Sequence, residues 1–175
     1  MGDIMDIRKI ESALRDYRRK KSVVETTLAR IKNYEAAIEN TDDFVAVHLG
    51  SPKEIGMPRG TNISSPVESA ITDKEKAIEI LKEWIIEDKS RIYPYQIELE
   101  QIDGALNALT IQEKFIIECK YFENMFWRDI EINFNDKFRQ QNYITDSGIR
   151  KINAESINLL AKILKPYYTR FKIKK

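Results

Sequence analysis

LTIQEKFIIECKYFENMFWRDIEINFNDKFRQQNYITDSGIRKINAESINLLAKIL, residues 109–164, decides how the chain is read. Thr110 followed by Glu113 has the spacing of a capping box, in which each residue satisfies the other's free N–H. Phe115, Ile116, Cys119 and Phe122 then recur at helical spacing and stop near Glu123-Asn124. A second short helix places Trp127, Ile130 and Phe134 inward. A longer last helix, capped by Thr145 or Ser147, turns Ile149, Ile152, Ser156, Leu159, Leu160 and Ile163 towards the same core. Two short helices, a loop and a final helix outline a helical bundle containing a helix-turn-helix.

With Ile149 and Ile152 facing inward, Thr145, Ser147, Arg150, Lys151 and Ala154 face outward near the start of the last helix. In a helix-turn-helix those first turns enter the major groove of double-stranded DNA. Arg150 suits the O6 and N7 acceptors of guanine. Lys151 and the two hydroxyls suit phosphates or single base atoms. The stretch 131–144 is longer than a tight turn, and reads equally as an extended helix, a loop or a wing. Its Lys137 and Arg139 would then reach phosphates beside the last helix, while Arg139-Gln140-Gln141-Asn142 also reads as ordinary solvated loop. A plain three-helix bundle with a charged outer face is the alternative to groove reading.

Upstream, Ile7, Ile10, Leu14, Tyr17, Lys21, Val24, Leu28, Ile31, Glu35 and Ile38 alternate steps of three and four. That is a coiled-coil-like seam on a long N-terminal helix over residues 1–40. The seam is expected to bury against a second copy, giving a homodimer, or against the helix downstream. Arg18-Arg19-Lys20-Lys21 reads as a solvated face. Glycines, prolines and serines dominate 41–66, a linker or extended loop. Residues 67–108 form connecting helices that start after Ser65-Pro66, with Ile71, Ile78, Leu81 and Ile85 on one face and Trp84 beside them. Pro94 is expected to break or kink that run. Residues 109–175 are the helix-turn-helix domain with a basic tail, and Pro166 is expected to stop its last helix.

Residues 1–103 carry 16 Lys/Arg against 20 Asp/Glu, whereas from Lys137 onward 10 basic residues face two acidic ones. A basic C-terminal segment attracts phosphates regardless of sequence. Cys119 has no partner cysteine and falls on an apolar stripe, which points to a reducing compartment and a core role. There is no secretory pattern and no apolar run near the length that spans a bilayer, so a cytoplasmic protein is expected. His48, the lone histidine, stands in the glycine-rich stretch without ligands at metal spacing. No catalytic constellation, metal site or cofactor motif is found, and the protein is expected not to be an enzyme.

Leu109-Thr110-x-x-Glu113-Lys114, Ile116-Ile117, Tyr121-Phe122-Glu123, Trp127-x-Asp129-Ile130 and Ser147-x-Ile149-Arg150 resemble the promoter-reading C-terminal domain of bacterial sigma factors. With Ser65-Pro66-Val67-Glu68 and Ile102-x-x-Ala105-Leu106-x-x-Leu109, residues 65–164 more closely resemble phage transcriptional regulators of the ArpU and RinA type. The resemblance implies an all-α protein that binds DNA and controls phage or prophage late genes, with RNA polymerase as a further partner. Two other functions fit the same pattern. One is a phage small-terminase-like DNA recognition subunit. The other is a helical adaptor that binds RNA polymerase without touching DNA.

Overall fold

A computed structural model describes residues 2–40, 66–138 and 143–170, the side chains of 2–6, 66–71, 73 and 170 aside. The chain is all-α, with a long N-terminal helix and a C-terminal helical bundle. Helix α1 spans Gly2–Glu39 and α2 spans Pro66–Leu106. Helix α3, Ile111–Ile117, runs directly into a π-helical turn, Glu118–Phe122, and is followed by α4, Trp127–Phe138, and α5, Asp146–Arg170. No strand occurs among the described residues. Two compact units divide the chain: Met1–Ser22 with Tyr95–Lys175, and Val23–Pro94. The linker expected at 41–66 lies outside the described residues except for Pro66, which opens α2. His48, Arg139 and residues 171–175 of the basic tail lie outside them too.

Within Val23–Pro94, Val24, Thr27 and Ile31 of α1 are buried, as are Ala77, Leu81, Ile85, Asp88 and Ile92 of α2. Arg30 donates two 2.7 Å hydrogen bonds to the Asp88 carboxylate, and Tyr34 lies 5.5 Å from Trp84 in a tilted ring pair. These bonds from Arg30 hold the Asp88 carboxyl below the usual carboxylate range. A carboxylate can be buried here because a guanidinium fork meets both of its oxygens. Rising numbers on α1 meet falling numbers on α2, so the segments run antiparallel.

In the other unit Ile10, Ala13, Leu14 and Tyr17 of α1 are buried. Tyr17 donates a 2.6 Å hydrogen bond to Asp103, and Lys20 reaches Glu98 at 2.7 Å with both side chains mostly enclosed. The expected seam is therefore half right. Positions 10, 14, 17, 24 and 31 are buried. From residue 20 onward the alternate positions fall one residue earlier than expected, at Lys20, Thr27 and Tyr34, while Lys21, Leu28 and Glu35 are exposed. Polar pairing with α2 sets this register, and an apolar count along α1 alone does not contain it. Most of the seam buries inside the chain, with Leu28 left exposed.

The basic cluster in α1 is a solvated face at three of its four positions, Arg18, Arg19 and Lys21, and Lys20 is the exception. Arg19 pairs with Asp16 at 3.0 Å. Arg18 donates to the Phe122 carbonyl at 3.2 Å, and Lys21 lies over the Tyr17 ring at 5.8 Å.

Neither proline ends its helix. Helix α2 passes through Pro94 between buried Ile92 and Leu99. Helix α5 passes through Pro166. An interior proline costs roughly 3 kcal/mol. At Pro166 packing on either side offsets it: Leu164 before it is buried, and Tyr168 after it donates to Glu98 at 3.2 Å.

Candidate nucleic-acid interface

The capping box that opens α3 is present in full. Glu113 N–H donates to Thr110 Oγ1 at 3.3 Å, and Thr110 N–H donates to the Glu113 carboxylate at 2.8 Å. It sets the phase in which Ile116, Ile117 and Cys119 are buried. Ile116 and Cys119 meet Ile130 and Phe134 of α4 and Ile149 of α5 in one core cluster. Phe115, Met125, Trp127, Phe138, Ile144 and Ile152 pack around it. Burial pushes the Cys119 thiol up to about 11, which fits an inert core cysteine.

From Glu118 to Phe122 the helix widens to π geometry. Glu123 N–H reaches the Glu118 carbonyl at 3.0 Å. Asn124 takes a left-handed backbone with φ of 54°, and Met125 N–H bonds the Cys119 carbonyl at 3.0 Å. Asn tolerates that conformation better than most side chains, as at other helix C-termini. The Tyr121 hydroxyl donates to Glu11 at 3.0 Å and accepts from the Asn153 amide at 3.3 Å, and the Phe122 ring stacks on Tyr17 at 4.5 Å. Burial is the main reason the Tyr121 phenol is pushed up to about 12.

The buried stripe of α5 is Ile149, Asn153, Ser156, Ile157, Leu160 and Leu164. Ile149, Ser156 and Leu160 are where the sequence places them, and Ile152 is half-buried. Leu159 and Ile163, expected inside, are exposed. Asn153 explains the rotation. Its amide pairs with Tyr121, and that polar contact draws the stripe round to residues an apolar count passes over.

Residues 143–145 are tied to the bundle through Asn135. Its amide donates to the Ile144 carbonyl at 2.8 Å, and its carbonyl accepts the Ile144 N–H at 2.9 Å. Thr145 is the N-cap position of α5, since its carbonyl accepts the first intrahelical bond, from Ile149, at 3.0 Å. At Gly148 a Cβ would stand 2.8 Å from Ile144 Cγ2, so the close approach of that side chain requires glycine.

Four expected site residues gather on α5. Thr145, Ser147, Arg150 and Lys151 are exposed over its cap and first two turns, with Ala154 beyond them. Arg150 is held in place: it donates from Nε and Nη2 to both oxygens of Asp146, at 2.7 and 3.0 Å. Its guanidinium lies 5.3 Å from the centre of the Trp127 ring, which also carries the Lys120 ammonium at 4.7 Å. Lys151 makes no ion pair among the described residues. Lys137 stands apart, exposed in the last turn of α4 with its ammonium 4.4 Å from the centre of the Phe115 ring. Arg139 lies outside the described residues.

Sequence reasoning missed three participants. Asp146 was legible, because its four-residue spacing to Arg150 is the ordinary helical ion-pair spacing. Trp127 was placed in the core, whereas it is half-buried and serves as a platform for two cations. Asn135 carried no signal. No group of three His, Cys, Asp or Glu that could hold a metal occurs among the described residues, and no helix there is long and apolar enough to cross a membrane. No protein-family model, curated protein or solved structure matches this chain.

Proposed function

We propose that the chain is a sequence-specific DNA-binding regulator of transcription, acting in the cytoplasm and without enzymatic activity, of the kind that phage ArpU and RinA-type regulators represent. Helices α4 and α5 act as its helix-turn-helix, and the start of α5 enters the major groove. One observation carries this reading. Ser147, Arg150 and Lys151 are exposed together at the N-terminal end of a helix whose inner face is fixed in the core by Ile149. That is the end a helix-turn-helix presents to base edges. The basic excess from Lys137 onward adds the sequence-independent attraction that brings such a protein to DNA.

The buried seam of α1 favours a regulator that meets DNA or RNA polymerase without zipping two α1 helices together. A filter-binding titration of random duplex DNA across salt tests the reading. Binding that weakens steeply with salt is expected. No binding at low salt would overturn it and leave the polymerase adaptor. Ring-sized assemblies in light scattering would favour the small-terminase-like subunit instead.

A further inference from the structure

Asp146 and Trp127 frame the Arg150 guanidinium so that one of its edges stays open. A guanidinium carries five N–H groups in a planar fork. Asp146 accepts from Nε at 2.7 Å and from Nη2 at 3.0 Å, which covers the Nε/Nη2 edge. The Trp127 ring lies beneath the group, 5.3 Å from centroid to guanidinium carbon. The Nη1/Nη2 edge makes no hydrogen bond among the described residues, and the side chain is 55% exposed. Helical side chains lean towards the N-terminus, so the charged head lies over the first turn of α5.

We infer that Asp146 is a positioning residue for base recognition, clamping Arg150 over Trp127 with its Nη1/Nη2 edge presented to the O6 and N7 of a guanine. This deepens the DNA-binding reading above and rests on it. Two N–H groups on one guanidinium edge match the paired acceptors of guanine in the major groove. An unclamped arginine must be ordered when it binds. Immobilising one such side chain weakens binding by about two- to tenfold. Asp146 meets that cost before DNA arrives. Its negative charge also repels phosphate, so the same residue lowers affinity for DNA in general. Raised discrimination together with lowered general affinity marks a positioning role, because a residue needed only for folding would change both in the same direction.

The test uses the full chain and duplexes that the wild-type protein enriches from a random-sequence pool. Affinities are measured for an enriched duplex, for the unselected pool, and for the enriched duplex with 7-deazaguanine at each guanine in turn. Asp146→Ala and Asp146→Asn should lower the enriched-to-unselected ratio about two- to tenfold, by the ordering cost above, while affinity for the unselected pool holds or rises. One 7-deazaguanine substitution should weaken the wild type and leave Arg150→Ala unaffected. Asp146→Ala placed on Arg150→Ala should lower the ratio no further. Asp146→Asn keeps the shape of the side chain, so it carries the test if Asp146→Ala melts early. An unchanged ratio in the Asp146 variants, or an equal loss in the Arg150→Ala background, overturns the inference and leaves the DNA-binding reading standing. A wild-type chain that binds no duplex at low salt removes the reading itself.

Discussion

The side-chain amide of Asn135 and the backbone of Ile144 hold each other through two hydrogen bonds, 2.8 and 2.9 Å long, across nine residues. The side chain acts as a short strand of backbone would, pairing the N–H and the C=O of one residue together. A further 2.8 Å bond to the Glu131 carbonyl fixes the amide on α4. Ile144 is thus held to α4 at a defined point, and α5 starts from there.

Asn135→Ala should destabilise this unit by about 2 kcal/mol, because both polar groups of a half-buried Ile144 lose their partner. Asn135→Asp keeps the acceptor and loses both donated bonds, so it should cost at least as much. Urea denaturation checks the size. Amide exchange at Ile144 checks the cause, since its protection should collapse before that of Ile130.

Gly148 and Gly104 should respond to alanine in opposite ways. At Gly104 an added Cβ meets nothing within 4 Å, so Gly104→Ala should gain about 0.5–1 kcal/mol from helix propensity alone. At Gly148 the new Cβ would meet Ile144 Cγ2 at 2.8 Å, on a β-branched side chain packed against the core. Overpacking of that kind costs about 1–3 kcal/mol, so Gly148→Ala should lower stability on balance. Ile144→Leu removes the Cγ2 methyl, and in that background the glycine substitution should lose its cost. Thermal melts of the two single variants and the double variant decide it.

These contacts mark where the sequence stops being informative. The Thr110–Glu113 box, the core triplet Ile116, Ile130 and Ile149, and seam positions 10, 14, 17, 24 and 31 follow from local spacing, and local spacing is what a sequence states directly. Lys20, Thr27 and Tyr34 were not legible as seam residues, because the reason for burying Lys20 is Glu98, 78 positions away. Asn153 was passed over for the same reason: its partner is a tyrosine on another helix. Of the candidate site, the exposed end of α5 was legible from the burial of Ile149. The hold of Asp146 on Arg150 lies within one helical turn and is legible from their four-residue spacing.

Stability should fall with pH above about 9, in two steps. The Cys119 thiol is raised to about 11 and the Tyr121 phenol to about 12, so the folded chain keeps protons that the unfolded chain releases from pH 9 and pH 10 respectively. The unfolded state then binds fewer protons, and the stability slope is negative through that window and flat below it. Tyr168, raised by burial and by Glu98, acts in the same direction. Urea midpoints recorded from neutral pH to about pH 12 should show the fall. Cys119→Ala should delay its onset. Tyr121→Phe should flatten the upper part while lowering the plateau, since Glu11 and Asn153 lose their shared hydroxyl.

Lys151 and Arg150 are neighbours with separable roles under the proposed function. Lys151 has no ion-pair partner among the described residues, so its ammonium is free to replace a counterion on the phosphate backbone. Lys151→Ala should weaken enriched and random duplexes alike and reduce the slope of log affinity against log salt by about 1. Arg150→Ala should reduce the ratio between the two duplexes, with much of its loss confined to the enriched one. Lys137 lies over the Phe115 ring and is packed as well as charged, so Lys137→Ala should lower the melting temperature more than Lys151→Ala does. A Lys151 variant that loses discrimination while Arg150→Ala keeps it would exchange the two roles and place a different face of α5 in the groove.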